Sequence, residues 1–93
     1  MKHASAQALR QLAPLIERLR ALPGLVERTP GSFYRRSSAF LHFHEDPAGL
    51  FADAKLDLEG FQRHRVTTRA EQAALLKAVT LALAGEQPRD RAA

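Results

Sequence analysis

The 93-residue chain contains no cysteine and no tryptophan. Without cysteine there are no disulfides, no thiolate metal sites and no cysteine nucleophile, and no compositional argument for secretion, so a reducing cytoplasm is the expected location. Long apolar runs are missing too. The most apolar stretch, 73–85, is interrupted by Lys77 and Thr80 and falls short of the roughly 20 residues a membrane-spanning helix needs. No membrane association is expected. The opening MKHASAQALRQL lacks the uninterrupted apolar segment of a signal peptide. Glycine is sparse and never clustered: Gly24, Gly31, Gly49, Gly60 and Gly85 each stand alone at a turn, which excludes a glycine-rich phosphate loop. There is no Gly-x-Ser-x-Gly elbow, and Ser32, Ser37 and Ser38 lie where turn serines are expected.

The length suits one domain with one core, slightly below the about 100 to 150 residues typical of a domain. Residues 1–85 read as that domain, and 86–93 as a disordered polar tail. The formal charge is +4, carried by eleven arginines and three lysines, with a pI near 10.3. Such a balance favours polyanions, although an alanine- and arginine-rich composition also scatters arginines over ordinary solvated surface.

Leu9, Leu12, Ile16, Leu19 and Leu22 recur at three- and four-residue intervals and define one apolar helical stripe. Ser5 suits the N-cap and Pro23-Gly24 the stop. Pro14 implies either a kink or a helix that begins there. Leu25–Arg28 and Ser32–Arg36 read as short strands around the turn Thr29-Pro30-Gly31-Ser32. Thr68-Arg69-Ala70-Glu71 is a capping box opening a last helix with Leu75, Leu76, Val79 and Leu83 on its buried stripe and Gly85 at its stop.

Between them, 39–56 reads as a β-hairpin turning at Asp46-Pro47-Ala48-Gly49. Pairing Glu45 with Leu50 sets His44 opposite Phe51, His42 opposite Asp53 and Phe40 opposite Lys55 on one face. The other face pairs Phe43 with Ala52, Leu41 with Ala54 and Ala39 with Leu56, and a one-residue slip would mix the two. In the following strand, 61–66, the alternation fails and the facing stays open; a bulge or a late start would account for it. The expected fold is α+β: an antiparallel meander sheet of three to five strands with an N-terminal and a C-terminal helix packed on the Leu41/Phe43/Ala52/Ala54 face.

The leucine-rich helix ending in Leu22-Pro23-Gly24, the strand Phe40-Leu41-His42-Phe43-His44 and the run Arg65-Val66-Thr67-Thr68 into the last helix together resemble the small bacterial luciferase-domain proteins and, more distantly, YjbR-like proteins. The resemblance spans most of 10–84 and implies a helix-flanked antiparallel sheet; it carries no catalytic residue across.

The face opposite the helices holds the candidate binding residues. Phe40 and Phe51 there are more apolar than a solvated sheet requires, which makes them interface candidates for a homodimer. His42 and His44, two apart on one strand, point the same way and can chelate one metal, with Asp53 or Glu45 adding an oxygen ligand; a third histidine nearby, for which His64 on a neighbouring strand is the candidate, would strengthen the site. Otherwise His42 pairs with Asp53 while His44 stacks on Phe51. Arg35, Arg36, Lys55, Arg63 and Arg65 form a potential basic stripe, with Tyr34, Phe40, Phe51 and Phe61 as stacking platforms for single-stranded nucleic acid. No catalytic residue, metal or cofactor is assigned. The expected function is a non-catalytic binding or scaffolding module that self-associates through its open sheet face. The alternatives are a nucleic-acid-binding protein, or a small enzyme or metal-binding protein using His42, His44 and Asp53.

Overall fold

The computed structural model describes residues 1–85; the tail expected over 86–93 lies outside the described residues. The chain runs β1 (Lys2–His3), α1 (Ala6–Gln11), α2 (Ala13–Arg20), β2 (Val26–Thr29), β3 (Ser32–Arg35), β4 (Ser38–Asp46), β5 (Gly49–Asp57), β6 (Gly60–Arg65) and α3 (Arg69–Leu83). Strands β2 to β6 follow one another across a single antiparallel sheet, and β1 joins that sheet beside β4. The α+β class is as expected, with a sheet one strand larger than five. No helix among the described residues is long and apolar enough to cross a membrane.

The N-terminal helical stripe is split in two. Leu12 leaves the helical conformation at φ −93° and ψ 1°, and Pro14 falls in the first turn of α2, where its missing N–H costs nothing. Ser5 caps α1, its hydroxyl accepting from the Ala8 N–H at 3.2 Å. Across the break the buried side continues, from Ala8 and half-buried Leu9 in α1 to Leu12 and then Leu15, Ile16 and Leu19 in α2.

The β4–β5 hairpin has the expected register from Asp46–Gly49 through Leu41–Ala54. Leu41, Phe43, Ala52 and Ala54 are all buried on the helix side. Small alanines opposite large side chains let α3 approach β5. The hairpin is fastened to the start of α3: Thr67 Oγ1 accepts from the Leu50 N–H at 2.9 Å. Gly49 permits that approach, because it holds φ +143° and a Cβ there would lie 2.5 Å from the same oxygen. The capping box forms, with Thr68 Oγ1 accepting from the Glu71 N–H and the Glu71 carboxylate accepting from the Thr67 and Thr68 N–H groups.

Phe40 departs from expectation. Phe33 pairs with Leu41 and Tyr34 with Ala39, leaving Phe40 as an extra residue in β4. Such a bulge re-aims side chains, and Phe40 turns into the core at 3 % exposure. The pairs Phe40–Lys55 and Ala39–Leu56 are absent from the β4–β5 register. Phe40 is therefore a core residue and not an open-face interface residue. A second irregularity, between Ala54 and Asp57, separates the two ends of the β5–β6 pairing. It settles the facing of β6: Arg63 lies opposite Asp53, and His64 opposite Ala52. Phe61, Arg63 and Arg65 thus share the open-face parity, and His64 goes to the helix side with buried Val66.

Two predictions follow from this packing. Phe40→Ala should lower the unfolding free energy by about 3–5 kcal/mol in urea denaturation; an unchanged midpoint with altered self-association would place Phe40 at a subunit interface instead. The Glu27 carboxylate accepts from Arg20 and from the Gly31 N–H. Hydrogen bonding from Arg20 holds its pKa below the ordinary carboxylate value, against the opposing effect of burial. Its contribution to stability is therefore complete above that ordinary value and lost as pH falls through the depressed one. The stability difference between wild type and Glu27→Gln, followed by urea titrations across the acid range, should shrink accordingly.

Candidate functional site

On the face away from the helices, four strands bring three histidines, an aspartate and an arginine together. His42 lies opposite Asp53, and Asp53 opposite Arg63, in one cross-strand row. In the next row His44 lies between His3 and Phe51. His3 is held there by several contacts. Beside its strand pairing, the Ala4 N–H donates to the Phe43 carbonyl at 3.1 Å, and the Ser5 N–H donates to the Glu45 carboxylate just before α1 begins.

The three imidazoles form one cluster. His3 stacks on His44 with centroids 5.0 Å apart, His42 meets His44 edge-on at 4.7 Å, and the Phe61 ring lies 5.4 Å from His42. One ring nitrogen from each of His3, His42 and His44 can be chosen so that all lie within 4.8 Å of one another. His3 is exposed, while His42 and His44 are half-buried. Nδ1 of His42 and both ring nitrogens of His44 are buried without a hydrogen-bond partner. His44 Nε2 does approach Asp53 Oδ2 to 3.2 Å, close enough for attraction but not aligned as a hydrogen bond.

Asp53 is fixed from the other side. Arg63 Nε donates to its Oδ1 at 2.8 Å and Nη2 to its Oδ2 at 2.9 Å, the bidentate geometry that makes such pairs strong. Those bonds hold the Asp53 carboxyl below its usual range, outweighing its burial. Burial pushes the His42 pKa down, helped by neighbouring His44 and opposed by Asp53. The uncharged imidazole, the form that ligates metals, is therefore favoured.

Of the residues singled out in the sequence, the structure brings His42, His44, Asp53 and Arg63 together. It does not bring His64, whose facing puts it on the helix side. Asp53 contacts His44 on the diagonal, where a direct pair with His42 was expected, and its hydrogen bonds go to Arg63. His44 stacks on His3, where Phe51 was expected. Glu45 is used at the start of α1. Arg65 donates to Glu71 and to the Ala48 carbonyl, and Arg35 and Lys55 line a groove with Leu56, Leu58 and Ala82. The basic residues thus fall into separate places, two of them already paired with carboxylates. Tyr34 lies under the Arg28 guanidinium, 4.4 Å from its ring centroid. His3 is the residue that sequence reasoning missed, since a two-residue strand carries no alternation to read; the visible signal was only a histidine near the start of the chain.

No protein-family model, curated protein or solved structure matches the chain, so these comparisons show no kinship to luciferase-domain or YjbR-like proteins, and the site rests on its own geometry.

In metal-free protein, NMR titration of the imidazole resonances should place His42 below the ordinary histidine value. With a depressed folded pKa, the neutral His42 supports folding fully above that ordinary value, and the support is lost as pH falls through the depressed one. A His42 resonance titrating at or above the ordinary value would contradict this environment.

Proposed function

We propose that the protein is a binding module for a divalent transition-metal ion, held by His3, His42 and His44. The observation that carries this reading is a trio of imidazoles with ligand atoms within 4.8 Å, two of which have buried nitrogens without partners. Buried polar atoms are almost always satisfied, and an ion is one of the few things that satisfies several at once. Imidazole donors suit Zn²⁺, Ni²⁺ or Cu²⁺ and not Mg²⁺ or Ca²⁺, which prefer oxygen. With metal–nitrogen bonds of about 2.0–2.1 Å, tetrahedral ligands stand about 3.3 Å apart, so from separations within 4.8 Å the cluster has at most roughly 1.5 Å to close on binding. His3, exposed on a two-residue edge strand, is the ligand freest to make that movement.

Self-association through Phe40 and Phe51 has less support, because Phe40 lies in the core. A nucleic-acid surface built on Arg35, Lys55, Arg63 and Arg65 has less as well, since Arg63 and Arg65 are engaged by Asp53 and Glu71.

Isothermal titration of metal-free protein with Zn²⁺ tests the reading. One ion should bind per chain. His3→Ala, His42→Ala and His44→Ala should each weaken binding by more than the about 10–100-fold that loss of an outer-shell partner costs. Wild-type affinity in His42→Ala, or an effect confined to His3→Ala, would overturn the three-histidine site.

A further inference from the structure

We infer that a metal ion in this site keeps one coordination position for an external ligand, and that the ligand is a small carboxylate received beside Arg63. The inference rests on the three-histidine reading above and says what completes the coordination sphere.

Three imidazoles leave a tetrahedral ion one ligand short. Asp53 is the nearest acidic side chain, and it is already committed. Both of its oxygens accept from Arg63, at 2.8 and 2.9 Å, which holds the carboxylate toward the guanidinium, outside the group of convergent ligand atoms. As it stands, the carboxylate lies 3.2 Å from His44 Nε2 without the alignment of a hydrogen bond, beside the trio and not within it. Glu45 is occupied by the Ser5 N–H and has the opposite strand parity to His42 and His44. Among the described residues no further histidine, cysteine or carboxylate joins the trio. Phe61, which borders His42, offers no donor atom. The fourth ligand therefore comes from solution.

Charge selects its class. The imidazoles bind as neutral groups, and Asp53 cancels Arg63, so the loaded site keeps the full double positive charge of the ion. An anion is the complement. Arg63 supplies the second contact: its side chain is 51 % exposed, and Nε and Nη2 face Asp53, while Nη1 makes no hydrogen bond among the described residues. It stands in the same cross-strand row as His42 and Asp53. From His42 that is two strand spacings, or about 10 Å, a span shared by a long arginine side chain and a two-oxygen ligand. A carboxylate fits, with one oxygen for the ion and the other for the guanidinium.

Cobalt-loaded protein tests both steps separately. Co²⁺ bound by the histidines should give visible absorption, and acetate should shift that absorption saturably with the cobalt still bound. In Arg63→Ala the freed Asp53 can take the fourth position. Cobalt should then be held at least as tightly, while the acetate response disappears. If wild-type protein binds cobalt but its spectrum ignores acetate, the site is closed by the protein; the metal reading survives and the inference is wrong. Acetate that merely strips the cobalt, read as absorption lost together with protein-bound metal after dialysis, also overturns it, as does an undiminished response in Arg63→Ala. No cobalt absorption at all removes the metal reading, and the inference with it.

Discussion

The structure depends on the register of one hairpin. With Leu41 opposite Ala54 and Phe43 opposite Ala52, every large residue of that face lies over a small one, and the helices have a surface to pack on. The same register places His42, His44 and Asp53 on the reverse face, because side chains alternate strictly along a strand. Core and site are therefore two faces of a single pairing. A slip of one residue would bury the imidazoles against Leu12, Ile16 and Val79 and expose Leu41 and Phe43, so the hydrophobic effect that secures the core also fixes the chemistry behind it. Thr67 reinforces this by accepting the Leu50 N–H, which ties the hairpin's turn end to the start of α3.

The site is also where the structure departs from its own economy. The partly buried carboxylates are answered: Glu27 by Arg20 and Gly31, Glu71 by the capping box and Arg65, Asp53 by Arg63. Only histidine nitrogens, those of His42, His44 and His64, are buried side-chain atoms without partners among the described residues. Each such atom costs on the order of 1–3 kcal/mol of lost hydration. Local violations of otherwise consistent design are the expected mark of a working site, and here two of the three histidines converge with His3 on one spot.

Local patterns were legible in the sequence where a strong period or a specific pair of side chains set them. The hairpin register, the capping box at Thr68 and Glu71 and the Ser5 cap all belong to that kind. Phe40 was misplaced because alternation cannot show a bulge: the extra residue is defined by β3 pairing across it, a contact between segments. The facing of β6 was unreadable for a similar reason, since Phe61 and Arg63 share a face on an edge strand where solvent tolerates both. His42 and His44 were visible as a chelating pair, but the third imidazole arrives from 39 residues earlier through a strand of two residues, too short to have any period.

β4 divides one of its edges between two partners. Its first residues pair with β3, from Ser38 to Leu41, and its last with β1, at His44 and Glu45. The two tenants share no residue. The third imidazole therefore hangs on β1 pairing that is separate from the β3 pairing beside the core. Loosening β1 would withdraw His3 from His42 and His44 while Leu41 and Phe43 kept their partners across β5, so the three-imidazole cluster has a stability of its own, set by one short strand and distinct from that of the fold.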